Sequence, residues 1–247
     1  MGKIDEYRAI LRTLGDWDEY LLRNSNLPGP RGNLELAHAA ADEGSEQQFL
    51  RWIALDAEQA PANTPGEFLA FCGVVGLGRL LAEGRRDLLP TIRARASDAR
   101  WRTREAVAMA LQRWGDADMD ALLDEMERWA AGNPLEQRAA AAGLCEPRLL
   151  ADPRYTRRVL AVLDAITASL LTVQDRKGED FKTLRQGLGY CWSVAIAALP
   201  SEGKPLMEKW LGSGDADVRW IMRENLKKNR LVRVDAAWVE QQLSQLP

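Results

Sequence analysis

The chain has few of the residues from which metal sites and disulfide frameworks are built. Its 247 residues include one histidine, His38, and three cysteines, Cys72, Cys145 and Cys191. No two of these cysteines have the close spacing of metal ligands, and a lone histidine does not complete a zinc site. An odd number of widely separated cysteines gives no disulfide framework. We therefore expect no metal, and we expect His38 to be an ordinary residue on a helix face.

The sequence also lacks β-strand patterns, a signal peptide and a membrane span. No stretch alternates apolar and polar residues with the period of two that predicts strands. The first residues, MGKIDEYRAILRTLGDW, contain no apolar core of a secretion signal. The most apolar run, residues 68–82, is interrupted by Arg79 and is too short to cross a bilayer. We expect a soluble cytoplasmic protein with no membrane partner.

The charge is mildly acidic but unevenly distributed. The net charge is −3 and the isoelectric point about 5.5, which argues against indiscriminate attachment to nucleic-acid phosphates. Residues 1–67 carry twelve acidic and six basic residues, whereas the remainder carries 24 acidic and 27 basic ones. Local basic surface is therefore possible on an acidic protein.

Three stretches of the chain resemble one another, at residues 98–114, 133–145 and 214–226. Each begins at a turn residue, places an arginine four to six residues later and continues in an amphipathic helical pattern; the arginines are Arg104, Arg138 and Arg219. A fainter fourth copy surrounds Arg185. Such spacing is typical of a repeated pair of helices. The apolar periodicity along the whole chain predicts about eleven or twelve helices in five or six pairs.

This pattern resembles the HEAT-repeat family, most closely at Asp98, at residues 103–111 and at residues 217–226. The resemblance implies an all-α fold, a right-handed α-α superhelix or HEAT/ARM-like solenoid. We expect a single domain over residues 1–247, with residues 1–32 as an N-terminal cap and 33–247 as stacked helix pairs. Stacking would place an arginine of one repeat beside an acidic residue or carbonyl of the next. The predicted ladder residues are Asp98, Arg104, Asn133, Arg138, Arg185 and Asp215.

Local signals predict where several helices begin. Residues 64–67, with sequence TPGE, and residues 133–136, with sequence NPLE, each combine a capping residue, a proline and a glutamate. Residues 45–48, with sequence SEQQ, form a capping box without proline, and Asp152 and Asp235 are simpler caps. The glycines of residues 73–78, GVVGLG, lie within a predicted helix rather than after a strand. They favour close helix packing over a dinucleotide site.

Two loops are rich in proline, residues 24–32 and 60–65. Arg31 in the first lies beside glycine amides that are able to hold an anion. The alternative is that these loops form a stiff cap over the first repeat.

Two tryptophans lie among basic residues, unlike Trp114, Trp129, Trp192 and Trp210, which we expect in the core. Trp101 falls in residues 79–113, with nine arginines and four acidic residues, and Trp220 in 219–233, with six basic residues and one acidic. Such stretches form either a groove for nucleic acid or an acidic peptide, or a solvated helix face. The candidate partner-binding residues are Trp101, Arg102, Arg219, Trp220 and Arg223.

The sequence favours a non-catalytic scaffold or adaptor that binds a protein on its concave face, without a cofactor and without catalytic residues. Residues 218–229, and more loosely 101–106, also resemble the HEAT-like alkylpurine DNA glycosylases. That resemblance implies an alternative, a repair protein that binds duplex DNA. Asp98 and Asp215 are candidates for a catalytic aspartate because they lie close to these stretches in sequence. Each also has a structural explanation as a helix cap. A lyase or a chaperone for a bound cofactor is a third class, to which no residue points.

Overall fold

The computed structural model describes residues 2–245, and in that part of the chain every regular element is a helix. The prediction of an all-α fold is confirmed, and fourteen α-helices are present among the described residues. The chain divides into two compact units, with the boundary between Ala117 and Asp118. The superhelix and the single domain over residues 1–247 stay predictions.

The first unit contains seven α-helices and a 3-10 turn, Arg86–Leu88. The helices are α1 (Lys3–Leu11), α2 (Asp18–Arg23), α3 (Leu34–Glu43), α4 (Glu46–Ile53), α5 (Pro65–Ala82), α6 (Leu89–Arg95) and α7 (Trp101–Ala117). Helix α5 lies at the centre, between α3 and α7, while α4 packs against another side of it and α1 packs against α3.

The second unit contains seven further α-helices and two 3-10 turns, Pro147–Leu150 and Leu170–Thr172. The helices are α8 (Met119–Trp129), α9 (Pro134–Leu144), α10 (Pro153–Ser169), α11 (Glu179–Ala198), α12 (Pro200–Leu211), α13 (Ala216–Leu226) and α14 (Asn229–Ser244). Here α11 lies between α9 and α13, and α10 packs against α8 and α11.

Most predicted helix starts are confirmed. The Asn133–Glu136 and Ser45–Gln48 capping boxes are both formed, and the Asp152 side chain accepts the Arg154 N–H. Asp235 has extended backbone within α14 and accepts the Trp238 N–H at 3.0 Å, so it caps the second half of that helix.

Helix α5 begins as predicted, with Thr64 at the N-cap and Pro65 at the first helical position, but the side-chain hydrogen bond of the cap is not formed. The Thr64 hydroxyl donates to the Pro61 carbonyl at 2.7 Å instead of accepting a helix N–H. Glu67 does reach back, but it accepts the N–H of Asn63 at 2.7 Å. The glutamate therefore fixes the loop before the helix, and its other partner is described with the candidate site below.

Helix α5 is packed closely because of its glycines. A Cβ on Gly78 would lie 2.7 Å from the Cβ of Ala110 on α7, and a Cβ on Gly73 would lie 2.8 Å from Cγ2 of Ile53. The GVVGLG run thus lies inside a helix and permits close approach, as the sequence predicts, without a strand before it.

Helix α5 is also long and apolar enough to cross a membrane, with 18 residues and a mean hydropathy of 1.3. It is longer than the apolar run 68–82 because the helix begins at Pro65. However, 78% of it is buried inside the protein. Its apolar composition is that of a core helix.

The tryptophans divide as the sequence predicts. Trp114, Trp129, Trp192 and Trp210 are buried, whereas Trp101 is 47% exposed and Trp220 is half-buried. Several buried indoles donate their N–H to a polar side chain, as Trp192 does to Thr167 at 3.1 Å. Such pairing removes the penalty of a buried unpaired donor.

Several side-chain pairs join segments that are 31 to 46 residues apart in sequence, although Arg113 and Asp42 are 71 apart. Arg158 and Glu127 are 31 residues apart, Arg85 and Glu46 are 39 apart, and Trp210 and Asp164 are 46 apart. This range is about the length of one helix pair with its loops. These pairs therefore link elements that lie about one helix pair apart along the chain.

Candidate functional site

The two proline-rich loops meet in the first unit and are joined by four residues that we call the loop clasp: Gly29, Asn63, Glu67 and Arg102. The Asn63 side-chain oxygen accepts the Gly29 N–H at 3.0 Å. Arg102 donates to the Gly29 carbonyl at 2.6 Å, to Asn63 at 3.2 Å and to Glu67 at 3.1 Å. Both loops are thereby attached to the first turn of α7.

The ion pair of the clasp lies inside the protein. The side chains of Arg102 and Glu67 are 6% and 0% exposed. The guanidinium charge is therefore paired with a buried carboxylate, and the guanidinium hydrogen bonds hold the two loops. Arg102, one of the predicted partner-binding residues, is therefore buried in the clasp, where its side chain holds the two loops.

The loop before α7 is held by a second buried arginine, Arg100, which is 2% exposed. Its guanidinium donates to the carbonyls of Asp56 and Ala60 and forms two hydrogen bonds with Asp98. Arg100 and Arg102 thus fix the chain on either side of Trp101. The sequence interpretation missed Arg100. The available signal was the placement of Arg100 and Arg102 on either side of the first residue of α7.

Above the clasp lies an apolar pocket of about 190 Å³. Its apolar walls come from the first proline-rich loop, from α3, from α5 and from α7: Leu27, Leu34, Phe68, Phe71 and Met109. The Phe68 and Phe71 rings are stacked with centroids 6.2 Å apart. Trp101 and Arg102 complete the wall, with the guanidinium carbon 4.4 Å from the centroid of the indole. An exposed tryptophan therefore borders a preformed apolar cavity.

Arg31 and Glu105 are the remaining charged residues around this pocket. Arg31 is exposed and makes no hydrogen bond or ion pair with any residue that the structure describes. Glu105 already takes part in an interaction within the protein. The uncommitted charge at the pocket is consequently positive.

Most of the other arginines of residues 79–113 are committed to the protein itself. Arg79 donates to the carbonyls of Ala41 and Gly44, and Arg85 forms hydrogen bonds with Glu46 and Asp87. Arg113 donates to Asp42 at 2.7 Å. A phosphate backbone would have to compete with these contacts, so the excess of arginine in the sequence overstates the free positive charge.

The repeat arginines Arg104 and Arg219 make equivalent contacts in the two units. Arg104 donates to the Asp98 carbonyl at 2.7 Å, and Arg219 donates to the Ser213 carbonyl at 2.6 Å. Each acceptor lies six residues before its arginine. These bonds close the turn before the arginine's own helix, whereas the sequence interpretation placed the carbonyl in the next repeat.

The predicted ladder residue Arg185 does connect two helices. Its Nε on α11 lies 3.0 Å from an Asp217 carboxylate oxygen on α13. Asp215, which precedes α13, pairs at 2.7 Å with Arg176 in the loop before α11. Asn133 caps its own helix. Arg138 on α9 lies beside Gly187 on α11, where a Cβ would be 3.1 Å from the arginine Cγ.

The partner-binding candidates of the second unit lie on α13. The Trp220 ring lies beneath the Arg185 guanidinium, whose carbon is 3.9 Å from the ring centroid, and beside Gly189. Arg223 is half-buried and takes part in an interaction within the protein. Arg219, Trp220 and Arg223 thus belong to one unit, and Trp101 and Arg102 belong to the other.

The two aspartates proposed as catalytic candidates have structural partners. Burial raises the pKa of Asp98, but hydrogen bonds from Arg100 outweigh this and hold the pKa below its ordinary value. Burial likewise raises the pKa of Asp215, and Arg176 together with the N–H groups of Val218 and Asp217 lowers it on balance. Asp215 is the N-cap of α13. Asp215 therefore stabilises the start of α13, and Asp98 holds Arg100 in the loop before α7.

Groups of three or more His, Cys, Asp and Glu placed to hold a metal ion are absent from residues 2–245. His38 lies with its Nδ1 3.3 Å from an Arg113 nitrogen, and the same arginine binds Asp42. The histidine is thus part of a polar contact between α3 and α7.

Comparisons of the chain with models of protein families, with curated proteins and with solved structures found no match. The resemblance to HEAT repeats accordingly rests on the sequence pattern alone.

Proposed function

We propose that this protein is a non-catalytic scaffold or adaptor that binds a partner protein through the apolar pocket beside Trp101. The observation that carries the proposal is the combination of a preformed cavity, an exposed tryptophan at its edge and a buried ion pair that fixes the walls. Protein interfaces are commonly anchored by a large side chain inserted into such a pocket. Rigid walls reduce the ordering that binding requires.

The size of the pocket favours a side chain of a protein over a free small molecule. Sites for small molecules usually occupy roughly 300–1,000 Å³, whereas this cavity has about 190 Å³. One anchoring side chain would fill it, and the remaining contacts of the partner would spread over the surrounding surface.

We further propose that the helices form a right-handed superhelix of the HEAT type. The equivalent hydrogen bonds of Arg104 and Arg219 support this, because they give the same start to a helix in each unit. The arrangement of α11 between α9 and α13 is the side-by-side stacking that such repeats require.

The alternative, a protein related to DNA glycosylases, is less favoured by the contacts. Asp98 and Asp215 are engaged by arginines, and Arg79, Arg85 and Arg113 pair with protein groups. Titration of a labelled DNA duplex at two salt concentrations tests this alternative. Tight binding that weakens steeply with salt would favour it.

The pocket itself is tested by capturing partners from an extract of the cells that produce the protein. We expect proteins bound by the wild type to be lost from Trp101→Ala and from Met109→Trp, whose larger ring fills the cavity. Tyr190→Ala is the matched control, because Tyr190 is also 47% exposed but lies in the second unit. Retention of the same proteins by all variants, each shown to be folded by circular dichroism, would refute the pocket as the partner site.

A further inference from the structure

We propose that the pocket takes a phenyl-sized apolar side chain that is flanked by a carboxylate, so that the bound segment of the partner is acidic as well as apolar. This rests on the proposed function, because it assigns a chemistry to the occupant of the same pocket. Two independent features of the first unit carry it, the shape and lining of the cavity and the charge at its edge.

The cavity accommodates one ring. An apolar protein cavity of about 150 Å³ is large enough to hold benzene, and this pocket has about 190 Å³. Its deep wall is the stacked pair Phe68 and Phe71, with an interplanar angle of 7°. A phenyl group fits this space and finds aromatic and aliphatic carbon on several sides. Burial of such a group would be the dominant favourable contribution to the free energy of binding.

Arg31 supplies the charge. It is exposed at the pocket and is uncommitted among the described residues, while the neighbouring Arg102 is neutralised by Glu67. The loop that carries Arg31 is fixed two residues earlier, where both the N–H and the carbonyl of Gly29 are hydrogen-bonded. A carboxylate next to the inserted ring would therefore meet a positive charge held by a restrained loop. Guanidinium and carboxylate groups pair with two parallel hydrogen bonds.

A nucleotide also combines a ring with an anion, but the lining disfavours it. The walls formed by Leu27, Leu34, Phe68, Phe71 and Met109 present carbon to the occupant. The polar edge of a nucleobase would lose its hydrogen bonds to water there without gaining replacements. The geometry consequently favours a peptide, and a nucleotide serves as the contrasting probe.

The test uses acetylated, amidated pentapeptides that have glycine at both ends. The central residue is phenylalanine with aspartate on either side; one variant replaces both aspartates with asparagine, and another replaces phenylalanine with alanine. Dissociation constants are measured by nuclear magnetic resonance titration of the full chain, and adenosine monophosphate is titrated in parallel. The protein variants are Arg31→Gln, Trp101→Ala and the control Arg23→Gln, whose side chain is 76% exposed and pairs with Glu19.

We expect replacement of phenylalanine to weaken binding more than about tenfold. Replacement of the aspartates is expected to weaken it about two- to fivefold, as for an exposed ion pair. The second effect should disappear in Arg31→Gln and persist in Arg23→Gln, and Trp101→Ala should weaken binding of both peptides that contain phenylalanine.

The other outcomes separate the two proposals. Dependence on phenylalanine without dependence on aspartate, or an aspartate effect that survives in Arg31→Gln, would overturn the acidic specificity and leave the pocket as a protein-binding site. Binding that does not depend on phenylalanine or on Trp101 would overturn the pocket itself. Tighter binding of adenosine monophosphate than of the acidic peptide would overturn both in favour of a nucleotide.

Discussion

Removal of the Arg102 guanidinium should destabilise the protein far more than removal of an exposed arginine. In Arg102→Met, the side chain keeps an unbranched apolar stem but loses the guanidinium with its charge and its donors. Glu67, which is 0% exposed, then retains the Asn63 N–H but loses the arginine 3.1 Å away. The Gly29 carbonyl also loses a donor at 2.6 Å.

The magnitude follows from the burial of both partners. Removing one member of a buried ion pair costs about 3–5 kcal/mol, because the remaining charge is left without compensation. The free energy of unfolding of a domain is typically only about 5–15 kcal/mol, so this substitution removes a large share of the total stability. An exposed pair contributes about 0–1 kcal/mol. Arg51→Met is the control, since Arg51 and Asp18 are paired at 2.7 Å with side chains 53% and 30% exposed.

The assay is urea unfolding followed by far-ultraviolet circular dichroism, with the free energy extrapolated to water. The double variant Glu67→Gln with Arg102→Met should recover part of the loss, because an uncharged amide replaces the uncompensated carboxylate. If the two units unfold in separate transitions, only one of them should shift. A loss below about 1 kcal/mol in Arg102→Met, similar to that in Arg51→Met, would refute the argument that the clasp ion pair holds the loops.

Three further predictions concern packing, pH and thiol reactivity. Gly78→Ala gains about 0.5–1 kcal/mol of helix propensity but must displace Ala110, so we expect a net loss of stability of about 1–2 kcal/mol, measured by urea unfolding. The control Gly214→Ala, which has open space around it, should change stability little. A more stable Gly78→Ala variant would contradict the close packing of α5 and α7. Hydrogen bonding to Arg12 lowers the pKa of Glu43 to about 2, so its stabilisation is complete above its ordinary pKa of 4.5 and is lost as the pH falls towards 2. Glu43→Gln should therefore be less stable than the wild type at neutral pH, with a difference that shrinks over that interval; a difference independent of pH would show that the carboxylate charge is not involved. The three cysteines are free and buried, and burial raises the pKa of Cys72 and Cys145; a thiol reagent should label them only after unfolding, and rapid labelling of the native protein would contradict their burial.

Local features of the fold were accessible from the sequence because they depend on neighbouring residues. The helical period, the Asn133 and Ser45 capping boxes and the buried Trp192 all follow from patterns a few residues long. The start of α5 at Pro65 was accessible in the same way, although Glu67 reaches back to Asn63 and not to Thr64.

The candidate site was less accessible because its parts are distant in sequence. Arg102 looked like exposed basic surface, since its burial depends on Glu67, which is 35 residues away and had a local explanation as a helix-start residue. The pocket walls combine Leu27, Phe68 and Met109, from three separate segments. Nothing in the sequence pattern of one segment indicates which other segment will face it.

The short sequence separation of many side-chain pairs has a consequence for the order of folding. Chains dominated by contacts between near neighbours fold quickly, because each contact closes only a short loop. The Arg158–Glu127 and Arg85–Glu46 pairs, at 31 and 39 residues, are of this kind. The hydrogen bond from Arg102 to Gly29 spans 73 residues. During synthesis on the ribosome, the early helices can pack before α7 emerges, but the apolar pocket is completed only when Arg102 reaches back to the first proline-rich loop.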